Sequence, residues 1–482
     1  MNPRTPVLVG TSTLDSQVAD PAAAMEALEM ACEVARDAGP AALLRRVGLI
    51  LVPKGTWTYG DPGRVVAAAV GADARSVLTE VGVLQQTVIS WACDAIASGD
   101  ADAVLVVGFE AKRREMLAAR AGIELAVTHA PGPPDEVLLP HGEILTRAEI
   151  ERDLAVPAHQ YAIVDNALRH EDGLDHHQHV ERLGRLWSGF AAVAHDTIGS
   201  FDRSGPGPTD ITTPTPDNRM IATPYTKRLC SQWNVDQAVA LLFASAEAAD
   251  AHGVARDHWT FPVMAAESNH MAVMPARAEL HRSPATRLLG DALREVAGLE
   301  PSQVPHLDLY SCFPAAVQVQ ARELGIGLDR SLTVTGGMTF AGGPLNSYVL
   351  HATATMSDVL RREPGATGLV TSVSGMLTKT ALGLWSTAPP TEPWQSIDVS
   401  REAEDSTEIR PWEPDTTGSG QVVAATVVHD RGVPSRIAAV VEVEGVRTVG
   451  VDRDASVAAE LRDEDLCERK VDVSSPGVLA FS

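Results

Sequence analysis

The segment TVTGGMTFAGGPLNSYVLHATATM, Thr333–Met356, decides how the rest of the chain is read. Four glycines, Gly336, Gly337, Gly342 and Gly343, frame a small apolar run that ends at Pro344. An amphipathic helix of about twenty residues is expected to follow that proline. Glycine lacks a Cβ, tolerates positive φ and lets backbone come close to a ligand. The unpaired N–H groups of a helix start can hold a carbonyl oxygen or another anion. A ligand site is therefore expected here.

Working outward, PVLVG (Pro6–Gly10), VGLILV (Val47–Val52) and AVLVV (Ala103–Val107) read as buried strands. Ala-rich helical stretches, Pro21–Gly39 and Leu84–Gly99, separate them. This alternation implies a mostly parallel sheet covered on both faces. Residues 112–232 break the pattern and are expected to form a helical cap carrying substrate contacts. Strand–helix alternation then returns, with strands at Trp259–Met264, Leu307–Tyr310 and Leu369–Val373 and helices at Ser283–Gly298 and Ala315–Gly325. SGDADAVLVVG and EPGATGLVTSVSG each close a long helix, break at glycine and enter a buried strand, so the halves read as a repeat. From about residue 392 the chain becomes acidic, then alternates as strands at Val422–Val428, Ile437–Val443 and Val446–Val451 with hairpin signals DRGVP and EGVR. The expected division is 1–250 with its cap, 251–391, and a small OB-like β domain over 392–482.

The 482 residues are 45% hydrophobic with a net charge of −24, which removes the basic footprint of a nucleic-acid binder. No apolar run reaches the ~20 residues of a membrane span, and MNPRTPVLVG carries no signal-peptide pattern. Cys32, Cys93, Cys230, Cys312 and Cys467 are scattered and odd in number, as expected of reduced cytoplasmic thiols. GxxxxGK[ST] is absent, and no GxGxxG follows the first strand. Asp175-His176-His177-Gln178-His179 is dense in ligand-type residues, but adjacent histidines cannot share one helix face, so no metal is expected.

DLYSCFP (Asp308–Pro314) and TVTGGMTFAGGP (Thr333–Pro344), with PDNRMIATPYTK (Pro216–Lys227) and LTKTALGLWSTAPP (Leu377–Pro390), resemble the thiolase superfamily. The nearest likeness is to sterol-carrier-type thiolases and actinobacterial thiolase-like proteins with an added C-terminal domain. The resemblance implies two βαβαβαββ halves in a five-layered α/β core with an inserted cap. It also implies a coenzyme A thioester as substrate or ligand and no permanently bound cofactor.

Members of that family use a nucleophilic cysteine at a helix start, a histidine before a proline, a second cysteine, and oxyanion holes. Carried over by position, the nucleophile falls on Gly82 and the histidine on Gly343. The second cysteine falls near Ser372–Ser374. Where sterol-carrier-type thiolases show His-Asp-Cys-Phe, this chain has Tyr310-Ser311-Cys312-Phe313. Cys93, about three turns into the helix, reads as a small buried residue rather than a substitute.

Tyr310 and Cys312 are thus the candidate proton-handling groups. Gly82, Gly336, Gly337, Gly342, Gly343 and Asn346 are candidate thioester contacts, and Lys227 and Lys379, with Arg228, candidates for coenzyme A phosphates. The expected protein is acetyl-CoA acetyltransferase-like by resemblance, without two-cysteine thiolysis or condensation. Two alternatives remain open. One is a retro-aldol lyase on steroid side-chain thioesters, for which Tyr310 fits but the glycine segment offers Phe340, Gly342 and Gly343 where a second tyrosine is needed. The other is a non-catalytic carrier or scaffold. A homodimer, or a partner enzyme docked through the C-terminal domain, is compatible with each.

Overall fold

The computed structural model describes residues 1–481. Strands β1 (Pro6–Ser16), β2 (Val47–Pro53), β3 (Arg75–Thr79) and β4 (Ala103–Ala111) alternate with helices α1 (Ala27–Asp37), α2 (Pro62–Val70) and α3 (Gln85–Ser98). A short β5 (Glu136–Leu138) precedes cap helices α4 (Pro157–Glu171) and α5 (His176–Asp196) and the hairpin β6 (Met220–Ala222) and β7 (Tyr225–Thr226). β8 (Asp236–Ser245) then returns to complete the sheet β1-β8-β4-β2-β3-β5. The second half runs β9 (Phe261–Ser268), α6 (Pro284–Ala297), β10 (His306–Asp308), α7 (Pro314–Glu323), α8 (Tyr348–Arg362), β11 (Thr367–Ser374), β12 (Lys379–Ser386) and β13 (Ser396–Asp398). Its sheet order is β10-β11-β12-β9-β13.

The expected duplication is present. β1-β8-β4-β2 and β9-β12-β11-β10 share one order, with antiparallel, antiparallel and parallel pairings in turn. Leu8 and Thr260 join the two sheets by reciprocal backbone bonds of 2.9 and 3.0 Å. α1 and α2 cover the outer face of the first sheet, burying Leu28, Val34, Val66 and Ile50. α3 and α8 lie between the sheets, and α6 and α7 pack outside the second. These are the five layers.

α8 begins at Tyr348 and not directly after Pro344. Residues 344–347 form a turn in which Ser347 N–H donates to the Pro344 carbonyl at 3.0 Å. Proline suits a turn as well as a helix start, which is why the sequence places the helix too early.

The C-terminal strands β14 (Gly418–Asp430), β15 (Val433–Val443), β16 (Val446–Asp452), β17 (Lys470–Ser475) and β18 (Val478–Phe481), with α9 (Ala455–Glu460), close into a barrel. Neighbours run β14-β15-β16-β18-β17 and back to β14. Val427, Ile437, Val441, Val473 and Leu479 fill its interior. The alternate residues Ala424, Val428, Ala438 and Val440 face outward and are also buried, in the main core. The barrel therefore sits on the cap. Val428 pairs with Ala222 of β6, and the Asn166 amide donates to the Thr223 and Ala425 carbonyls at 2.9 Å each.

Among the described residues, no helix is long and apolar enough to cross a membrane.

β3 would be the open edge of the first sheet, but β5 covers it by pairing Glu136–Leu138 with Val77–Thr79. Asp135 extends the cover, accepting from Ser76 N–H at 2.9 Å while Arg64 pairs with it at 2.8 Å. The sheet then ends at β5, and an edge of three residues is a poor template for a continuous sheet with a second copy. Light scattering on the eluting protein is expected to read one chain, 51.0 kDa. A stable dimer would mean that another surface does the pairing.

Candidate functional site

The site starts from one carboxylate. β10 ends at Asp308, which is fully buried. Oδ2 accepts from the Thr333 and Thr335 hydroxyls at 2.9 Å each, and from Val334 and Thr335 N–H at 3.0 and 3.1 Å. Oδ1 accepts from the Tyr348 hydroxyl at 2.8 Å. Burial raises the Asp308 pKa, and the bonds from Tyr348, Thr333 and Thr335 oppose that rise. The network fixes the turn that carries the first two glycines against the start of α8.

Beyond Asp308 the chain bends through Leu309–Phe313 into α7, with Pro314 at its first position. The ring of Tyr310 meets that of Tyr348 edge-on, with centroids 5.8 Å apart at 88°. Ser311 Oγ accepts from Met338 N–H at 3.1 Å, tying DLYSCFP to the glycine segment. Cys312 faces the cap, where the Tyr161 hydroxyl of α4 lies against its thiol. Burial pushes the Cys312 thiol up to about 12, against relief from Tyr161 and nearby backbone N–H groups. Burial also raises the Tyr310 hydroxyl, with a further contribution from Cys312. Both groups hold their protons at neutral pH.

What the four glycines approach in this structure is protein. A Cβ at Gly336 would lie 2.4 Å from Ala194 of α5, and one at Gly337 2.5 Å from Phe190. At Gly342 the obstacle is the Gln237 side chain, and at Gly343 it is Met338. Trp187 Nε1 donates to Thr339 Oγ1 at 3.0 Å, completing the seat of α5 on the segment. Several of the segment's backbone donors are engaged as well. Gly343 N–H donates to the Gln232 carbonyl at 2.8 Å, and Val349 N–H to Gln85 Oε1 of α3 at 2.7 Å.

Gly82 has φ of +101° and precedes α3, with the Gln85–Val349 bond linking the starts of α3 and α8. Its carbonyl accepts from Ser374 Oγ at 3.4 Å, so the positions matched to the two cysteines are neighbours. Ile144 and Pro140 from the cap's first loop lie over Gly82. Lys379 is completely buried, on the face of β12 that looks toward α3, and burial lowers its ammonium pKa. Lys379 Nζ, Ser372 Oγ, Gln86 Oε1 and Asn346 Nδ2 have no hydrogen-bond partner among the described residues. Lys227 is exposed on the cap surface and does not join them.

Tyr161, Tyr348 and Arg277 belong to the site and were not singled out from the sequence. Tyr348 lies in the quoted segment and was read only as a helix residue. Tyr161 and Arg277 arrive from distant elements with no motif around them. The histidine-rich stretch divides: Asp175 caps α5, and His179 turns inward to Asp165 at 2.9 Å. Elsewhere, at the seam of cap and barrel, ligand-type atoms of His170, Asp465 and Cys467 lie within 4.8 Å of one another. The His170–Asp465 contact of 2.8 Å accounts for two of them as a hydrogen-bonded pair.

No protein-family model and no curated protein sequence matches the chain. Solved structures do. A monomeric SCP2-thiolase-like protein type 1 from Mycobacterium smegmatis matches over 100% of both chains at 25% identity, with a TM-score of 0.84. The Ltp2–ChsH2(DUF35) aldolase matches 80% of this chain and 99% of its own at 19% identity and a TM-score of 0.59. An acetyl-CoA acetyltransferase from Syntrophomonas wolfei matches 80% and 99% at 17% identity and 0.57. The last two carry the fold alone. With the duplicated sheets and the cap, the first of these likenesses places the chain in the thiolase superfamily.

Replacing Tyr348→Phe is expected to cost ~1–3 kcal/mol at neutral pH, because a buried carboxylate loses a donor. With its pKa raised, Asp308 favours the fold at low pH, and that contribution is lost as pH rises through the folded-state value. The Tyr348 bond favours the ionised form, so the cost of the variant should shrink on acidification. Urea unfolding at neutral and mildly acidic pH measures both; an equal loss at each would mean that Asp308 is not the partner that matters. Gly82→Cys places a Cβ 2.8 Å from Ile144 at a positive φ. It is expected to lose ~1–3 kcal/mol of stability and to form no acyl adduct with acetyl-CoA by intact mass.

Proposed function

We propose that this chain is a cytoplasmic thiolase-fold protein that binds an acyl-CoA thioester without forming an acyl-enzyme. The observation that carries this reading is the set of buried polar atoms without partners, Gln86 Oε1, Asn346 Nδ2, Ser372 Oγ and Lys379 Nζ, on elements that meet near the starts of α3 and α8. Buried polar groups are ordinarily paired, and a polar ligand would satisfy them. The absence of an acyl-enzyme follows from Gly82 and Gly343 at the positions matched to nucleophile and histidine. Cys312 holds its proton too firmly to replace them at neutral pH.

A second reading, a lyase that breaks a carbon–carbon bond in a β-hydroxy thioester, is favoured by one observation. Tyr348 gives Tyr310 a second tyrosine at 5.8 Å, from α8 rather than from the glycine segment. The barrel, OB-like in its five-stranded closure, would then act as a built-in partner domain.

Calorimetric titration with CoA, acetyl-CoA and a bulky steroid side-chain CoA tests the first reading. Binding without thiolysis of acetoacetyl-CoA is expected. A covalent acyl adduct on any cysteine would overturn it, as would failure of all three ligands to bind. Turnover lost in Tyr310→Phe would move the assignment to the lyase.

A further inference from the structure

Next to the tyrosine–cysteine cluster is an arginine with one edge unpaired. Arg277 is 4% exposed and lies in the loop between β9 and α6. Its Nη1 donates to the Met376 carbonyl at 2.8 Å. Its Nε and Nη2 have no hydrogen-bond partner among the described residues. Those two donors form one edge of the guanidinium, the edge that grips a carboxylate with two parallel bonds.

Arg277 also lines a cavity of about 150 Å³. Ser283, Ala285, Leu377 and Thr378 line it too, and Thr407 and Glu408 close it from the segment before the barrel. At ~30 Å³ of liquid per water, the space holds a small acid group with a short stem. Two of the acidic side chains around it, Glu323 and Glu408, are engaged by other arginines. Glu323 binds Arg282 at 2.6 Å, Glu408 binds Arg410 at 3.0 Å and Glu279 lies 3.8 Å from His281. Glu149, the carboxylate whose charge most supports Arg277, spends Oε2 on the Thr146 N–H and hydroxyl at 2.8 Å each, while its buried Oε1 has no hydrogen-bond partner among the described residues.

The wall behind the guanidinium is unusual in its backbone. Met376 and Leu377 both have positive φ, +51° and +75°, in residues that rarely adopt it. That turn aims the Met376 carbonyl at Nη1 and so leaves the Nε–Nη2 edge free. Such strain persists where surrounding structure enforces it, and it clusters at ligand sites. On its other side Arg277 is near enough to Tyr161 for the two to influence each other's ionisation, and Tyr161 lies against Cys312.

We propose that this cavity is a carboxylate subsite and that Arg277 selects ligands whose acyl chain ends in a second, free carboxylate. The inference rests on the acyl-CoA reading for the rest of the ligand, and deepens it by naming the far end. A buried guanidinium edge without hydrogen-bond partners is unfavourable even with the Glu149 charge nearby, and a carboxylate in that fork would satisfy both donors.

Succinyl-CoA and butyryl-CoA test it on the wild-type protein, since both carry four-carbon acyl groups and only the first ends in a carboxylate. Calorimetry is expected to show at least tenfold tighter binding of succinyl-CoA. Equal affinities would overturn the subsite and leave the acyl-CoA reading standing. If neither thioester binds, that reading fails, and free succinate decides the subsite alone. Succinate should then raise the melting temperature above that in sodium chloride of equal ionic strength. That shift should vanish in Arg277→Gln and in Ala285→Met, which fills the cavity without touching the guanidinium. It should persist in Arg287→Gln, on the exposed face of α6. No succinate shift in the wild type, or an undiminished shift in folded Ala285→Met, overturns the proposal.

Discussion

The second half of the molecule is organised around a carboxylate placed where water cannot reach it. Asp308 receives five hydrogen bonds, from two hydroxyls and two N–H groups of residues 333–335 and from the Tyr348 hydroxyl. An ionised group taken out of water must be matched this fully, or it takes up a proton. Its five donors come from the turn before the glycines and from the first residue of a core helix. Satisfying Asp308 therefore sets where the glycine segment lies and where α8 begins. The seat for cap helix α5 follows, because Gly336 and Gly337 are then held close enough for Ala194 and Phe190 to pack on them.

Much of the architecture was legible because it rests on local chemistry. Short apolar runs such as VGLILV and AVLVV can be little else than buried strands, and SGDADAVLVVG and EPGATGLVTSVSG announce the repeat. The helix boundary after Pro344 and the company kept by the glycines were not legible. Gly336 permits close approach in either case, and a sequence does not say whether the partner is ligand or protein. Here Ala194 occupies that place from well over a hundred residues away. Tyr161 and Arg277 were invisible for the same reason: each is a lone residue that acquires meaning only when the cap and the β9–α6 loop meet α7. The pairing of β5 with β3 was hidden too, since three residues from 136 to 138 carry too little pattern to read as a strand.

The two polar systems at the core of the molecule differ in kind. Around Asp308 the bonds are complete, and the group serves rigidity. Around Lys379, Ser372, Gln86 and Asn346, and again at Arg277, donors and acceptors are left over. Both arrangements lie under well-packed apolar layers, so neither is an accident of exposure. The complete network holds the Thr333–Gly337 turn against the start of α8, whereas the incomplete ones leave hydrogen-bonding capacity unused.

The single bridge between Val428 and Ala222 bears on the order in which this protein can be made. The cap hairpin meets its barrel partner only after some two hundred further residues have left the ribosome. Asn166 waits longer still for the Ala425 carbonyl. During synthesis the cap therefore emerges with one flank open, and contacts this distant in sequence are slow to form. A chain that stops before the barrel would keep that flank bare, a natural handhold for chaperones and proteases. The barrel is thus the piece that closes the open flank of the cap.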